Sequence, residues 1–209
     1  MKLSTIQKIG GISIIVGSLL LTIWTILYVT ILPIDKIRVD FSILISNSNW
    51  CWIISLAFIA TLLMIFGFTA VYSRMYDSAG IVGFVGYIFI ILAYIVQTAL
   101  ITWELFLYPI IVRNEKSIFL IQDKIILFSP EFKTYRMILE MSLFLGILLF
   151  CLALIRNKMF PKISGYLIFF GSIIYAISQL FNIYVEIGGI LILSVGCSII
   201  GYRMFSTKD

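Results

Sequence analysis

Six apolar runs separated by short charged stretches fill the chain, and hydrocarbon that continuous is solvated only by lipid. Charged residues make up 12% of the sequence against 62% apolar, which leaves too little polar surface for a water-soluble fold. The runs predict spans at about 9–31, 51–72, 81–105, 137–155, 163–181 and 185–202. Each is long enough to cross roughly 30 Å of hydrocarbon at a helical rise of about 1.5 Å per residue. Lipid offers no partner to a backbone amide, so each span must satisfy its own hydrogen bonds, and the lack of alternating polar residues argues against a barrel. The expected fold is therefore all-α, a single polytopic domain over residues 1–209 built as a bundle of six transmembrane helices. The first run is too long for a cleaved signal peptide and no small-x-small site follows it.

Lysine and arginine in short flanks set the orientation. With the N-terminus inside, the inner side holds Lys2, Lys8, Arg74, Arg156, Lys158, Lys162, Arg203 and Lys208, while the short outer loops hold only Lys36 and Arg38. This predicts a multi-pass protein of the cell (cytoplasmic) membrane with both termini cytoplasmic. The connection from about Phe106 to Arg136 is then external, although it carries Arg113, Lys116, Lys124, Lys133 and Arg136. Within it Ile118, Ile121, Ile125 and Phe128 recur at helical spacing, and Ser129-Pro130 supplies a stop. The spacing predicts a short external amphipathic helix over about 117–128, lying on the membrane as a plain cover or as a lid over a site. Trp50, Trp52 and Trp103 fall at the same boundary, where amphipathic rings meet headgroups.

Absences exclude several chemistries. Without histidine there is no bis-histidine haem, no histidine metal centre and no serine–histidine hydrolase. Cys51, Cys151 and Cys197 are separated thiols without a C-x-x-C pair, and indicate neither a disulfide framework nor a redox enzyme. No metal or cofactor is expected, no catalytic residue stands out, and the balance is against an enzyme. The net charge of +5 reads as topology signals and contact with anionic headgroups, with no nucleic acid as partner. Gly10 with Gly17, Gly83 with Gly86, Gly165 with Ser172 and Gly189 with Gly196 are spaced to share helix faces, where small residues let backbones approach.

Polar groups inside the spans are the informative exceptions. Glu104 ends the third predicted helix, Glu140 lies one turn into the fourth and Glu186 opens the sixth, all toward the outer leaflet. Gln97 stands two turns before Glu104 on nearly the same face, and Gln179 and Asn182 end the fifth helix at the same depth. Facing helices would make of these an acidic, amide-lined pocket open to the outside. Carboxylates around one cavity favour a cation, an amine or a proton as ligand. A second reading stands beside it: each acid lies near a helix end, within reach of headgroup water, and Arg136 is placed four residues before Glu140 to neutralise it.

At the junction of the fourth and fifth spans, Leu154-Ile155-Arg156-Asn157-Lys158-Met159-Phe160-Pro161-Lys162-Ile163-Ser164-Gly165 combines a basic turn, a proline and a small-residue helix. Here the chain resembles a family of uncharacterised six-span bacterial and archaeal membrane proteins, known only as a domain of unknown function. The resemblance implies the topology and carries over no activity or site residue. Two functional classes follow from the residues. One is a binding or transport module for a small cationic or amphipathic solute, similar in size and span count to small vitamin-binding subunits of modular importers. The other is a non-catalytic accessory or scaffold subunit, with partner membrane subunits docked on its small-residue faces and surface helix.

Overall fold

The computed structural model describes residues 3–34, 40–178 and 182–206. Every regular element among them is a helix: α1 (Leu3–Ile31), α2 (Ser42–Ile45), α3 (Trp50–Thr102), a π turn (Trp103–Leu107), α4 (Tyr108–Arg113), α5 (Phe119–Gln122), α6 (Ile125–Phe128), α7 (Pro130–Arg156), α8 (Lys162–Ile177) and α9 (Ile183–Ser206). Among the described residues four helical stretches are long and apolar enough to cross a membrane: Thr5–Ile31, Trp50–Arg113, Pro130–Arg156 and Ile183–Ser206. Helix α8 is apolar but shorter. The protein is thus membrane-embedded by the length and composition of its helices.

Helix α3 is two antiparallel limbs. A straight helix of its 53 residues would be about 80 Å long. Yet the indole of Trp50, at its start, donates to the carbonyl of Glu104, just past its end, at 2.9 Å. Tyr72 and Tyr87 stack with ring centroids 4.4 Å apart, which also requires the chain to fold back between them. The reversal is at Gly80, whose φ of 59° and ψ of −171° interrupt the helix. That backbone region is open essentially to glycine alone. The sequence predicts a loop between Tyr72 and Ile81; instead the helix runs on to Ala79 and a single residue makes the turn.

The helices close into a ring, and the glycines show how tightly. A Cβ on Gly17 would lie 3.1 Å from that of Leu63, joining α1 to the first limb of α3. One on Gly86 would lie 2.5 Å from the backbone nitrogen of Phe150, joining the second limb to α7. Gly165 meets Ile155 across the α7–α8 turn, Gly171 meets Leu193 between α8 and α9, and Gly11 meets Gly201 between α9 and α1. Lipid supplies no hydrophobic drive between helices, so such backbone approach provides the packing. The interior holds Ile14, Met64, Phe68, Phe150, Ile168 and Cys197, all buried. A second core of Leu32, Phe41, Leu44, Trp50, Ile101, Tyr108 and Ile121 closes the end opposite Gly80, beneath α2, α4 and α5.

Two expectations are corrected at that second end. The segment 117–128 is not one helix: α5 and α6 are separate turns, broken where Lys124 adopts a left-handed φ of 56°. Ser129-Pro130 stops α6 at Phe128, as expected, and also starts α7. The Ser129 hydroxyl accepts from the Phe132 amide at 3.1 Å and Pro130 takes the first turn of α7, where its missing N–H costs nothing. Trp50 is not a headgroup ring, being 1% exposed, whereas Trp52 and Trp103 are exposed.

Candidate functional site

The site grows from an aromatic pair in the last turns of α1. Trp24 and Tyr28 are four residues apart and share a helix face, with ring centroids at 5.5 Å. Tyr28 packs on Trp50 at 6.4 Å, and Phe41 sets its edge against both Trp50 and Tyr108. Glu104 lies inside the π turn, not at a helix end as its sequence position predicts. A π turn closes hydrogen bonds to the fifth residue back, and such turns are frequent at functional sites. The Tyr108 amide accordingly bonds the Trp103 carbonyl, while the Glu104 carbonyl is met by the Trp50 indole.

Two of the predicted acids lie within electrostatic reach of one tyrosine without being paired with each other. The Tyr28 hydroxyl lies in the electrostatic field of both Glu104 and Glu186, and the Tyr175 hydroxyl in that of Glu186. The cluster draws on α1, the π turn, α8 and the first turn of α9, and both carboxylates are partly buried. Among the described residues neither has a hydrogen-bond donor or a cationic partner. Two polar groups on its flank are also unsatisfied: the Trp24 indole N–H and the Tyr108 hydroxyl are buried with no partner among the described residues. Tyr108 is 1% exposed and its hydroxyl lies in the field of Glu104.

The remaining predicted residues are placed differently. Glu140 is about three turns into α7, since that helix begins at Pro130, and it is exposed. It forms a 2.9 Å ion pair with Arg136, the arrangement in which an exposed acid serves only its own helix. Asn182 is exposed, and its side-chain oxygen accepts from the amides of Tyr184 (3.0 Å) and Val185 (3.1 Å), capping α9. Gln97 is partly buried in the second limb of α3, and no described hydrogen bond ties its side chain to either acid. Gln179 lies outside the described residues. Among the described residues no three acidic or thiol side chains are grouped to hold a metal.

Trp24, Tyr28, Tyr108 and Tyr175 are missing from the sequence reading, and Trp50 enters it only as a boundary ring, because apolar runs hide aromatics among their neighbours. A usable signal exists in the i, i+4 spacing of Trp24 with Tyr28 and of Glu104 with Tyr108. Two cavities lie elsewhere. One, of about 380 Å³, runs along α1 and α9 between Leu19, Leu191, Val195 and Tyr202; the other, of about 240 Å³, lies between Ser46, Asn47, Cys51, Pro109 and Arg113. No protein-family model, curated protein or solved structure matches this chain.

Proposed function

We propose that this is a six-span protein of the cell membrane that binds a small cationic solute, as a carrier or a substrate-binding subunit, at Glu104 and Glu186. The hairpin at Gly80 counts as two crossings and α8, with 16 residues, as one more. Both termini are then on the Gly80 side, which the positive-inside rule assigns to the cytoplasm through Lys8, Arg74, Arg156, Lys158, Lys162 and Arg203. The site faces the opposite leaflet.

The observation that carries this reading is that Glu104 and Glu186, both partly buried, have no cation or donor on them among the described residues. Acids retained in a membrane protein interior face a partner or a pathway. Here a ligand supplies the charge that the described residues do not. The test is thermal unfolding of the purified protein against a panel of inorganic and organic cations. At roughly 100 times Kd, binding stabilises by about 2.7 kcal/mol. That response should vanish in Glu104→Gln and Glu186→Gln and persist in Glu140→Gln; equal responses in all three would overturn the proposal.

One observation favours the accessory reading. The 380 Å³ groove on the lipid-facing side of α1 and α9 is lined by Leu19, Leu191 and Val195, and a partner's transmembrane helix would fit such a surface. Co-purification of a partner subunit, lost in Val195→Trp, would establish it.

A further inference from the structure

The groove between α1 and α9 has a fixed depth in the membrane. A Cβ on Gly11 would lie 2.9 Å from the Gly201 carbonyl oxygen, and the Ser194 hydroxyl donates to that of Ser18 at 3.3 Å, so the two helices run antiparallel in one register. Leu19 is then level with Leu193, and Lys8 with Met204. The groove is lined by Leu19 of α1 and by Leu191, Val195, Ser198, Ile199 and Tyr202 of α9. From Leu191 to Tyr202 it runs about 16 Å at a helical rise of about 1.5 Å per residue, close to one leaflet's half of roughly 30 Å of hydrocarbon. Leu19 lies near the middle of α1 and Tyr202 near the end of α9, so the groove spans the leaflet at the Gly80 end.

Its polar groups follow the order of a phospholipid. At the groove's end Tyr202 is exposed, and so is Lys8, about three turns from Leu19 on the same face of α1 and without an ion pair among the described residues. About 6 Å deeper, one helical turn back from Tyr202, is Ser198, partly buried. Its hydroxyl bonds nothing among the described residues, whereas Ser13, Ser18, Thr22 and Thr25 of α1 each bond a carbonyl one turn back. Deeper still the lining is aliphatic, apart from a Ser194 hydroxyl already bonded to Ser18.

We propose that this groove is a binding site for one anionic phospholipid. A tail lies along Val195 and Leu191, an ester carbonyl accepts from Ser198, and the phosphate faces Lys8 and the Tyr202 hydroxyl. Lysine near a membrane surface attracts anionic lipid, and a zwitterionic head would bring its own cation against Lys8. Spread over the groove's length, its volume of about 380 Å³ averages about 24 Å² across, room for one hydrocarbon tail. A partner helix, about 10 Å in diameter, would lie over the groove without filling it.

The test is native mass spectrometry of the full-length protein in detergent, titrated with phosphatidylglycerol and with phosphatidylcholine of the same tails. The first lipid bound should be phosphatidylglycerol, at a concentration about fivefold lower than phosphatidylcholine. Lys8→Gln, an exposed change that does not threaten folding, should remove that preference and leave phosphatidylcholine binding unchanged, which a merely structural role for Lys8 would not do. Ser198→Ala should weaken both lipids alike, about threefold to tenfold, and Ser198→Phe should fill the groove and abolish both. Glu104→Gln, at the opposite end, should change none of this. Equal binding of the two lipids, or a phosphatidylglycerol preference that survives Lys8→Gln, would overturn the headgroup assignment. Binding that persists in Ser198→Phe would overturn the groove as its site. A second copy or a partner subunit retained in place of lipid, and released by Ser198→Phe, would overturn the occupant.

Discussion

The two ends of the helical ring treat their polar groups in opposite ways. At the Gly80 end, connections are minimal and polar side chains are matched. The buried Asn157 amide donates to the Ser78 hydroxyl at 2.6 Å, its oxygen accepts from the Met159 amide at 2.7 Å, and Arg74 reaches the Met204 carbonyl at 3.4 Å. Asp77 is the only acid there among the described residues, and it is exposed. At the far end the chain uses four short helices and a π turn, and there it keeps Glu104, Glu186, Trp24 and Tyr108 buried or partly buried without hydrogen-bond partners among the described residues. One end is built to hold together. The other holds unsatisfied groups that stability alone does not call for, the pattern expected where binding is the reason a residue is kept.

Substitutions can break this contrast. The largest effect is expected at the ring itself: Gly86→Leu drives a side chain into the Phe150 backbone, and equilibrium unfolding should show a loss of roughly 3 kcal/mol or complete failure to fold. Next is Gly80→Ala. Open space surrounds that residue, so any loss is conformational, about 1–3 kcal/mol from the strained φ alone. A near-neutral result would place the reversal elsewhere. Asn157→Ala removes the buried amide that bonds the Ser78 hydroxyl and the Met159 N–H, and should cost about 1–2 kcal/mol. Glu104→Gln, measured without added ligand, should by contrast leave the protein equally stable or more stable, because it removes a buried acid without a described partner. A loss as large as that of Asn157→Ala would mean the two ends do not differ as argued. The smallest effect is expected for Glu140→Gln, within about 0.5 kcal/mol, because its ion pair with Arg136 is exposed.

Much of the architecture was legible before any coordinates. Long apolar runs required helices, and the spaced glycines of α1, α8 and α9 marked faces where backbones meet. Segment boundaries were less legible. Hydropathy marks where lipid-like residues stop, not where a helix does, so polar helical ends such as Ser73–Ala79 and Pro130–Arg136 were read as loop. Of the predicted site, Glu186 sits in the first turn of its helix as expected, while Glu104 moved into a π turn and Glu140 turned to its own Arg136. The acids were visible because charge is rare in apolar sequence. Their aromatic surroundings were not, because Trp24 or Tyr108 in such a run looks the same whether it faces lipid or interior.

What the amino-acid sequence determined by itself is the solvent and the secondary structure: a chain this apolar belongs in lipid, and in lipid its backbone must bond to itself as helix. What only the tertiary structure decided is which polar groups share a site. Tyr28, Glu104 and Glu186 lie far apart along the chain and are joined only by the rotation of each helix about its axis. That rotation is set by backbone contacts at glycines and by a single π turn, and neither leaves a trace in hydropathy.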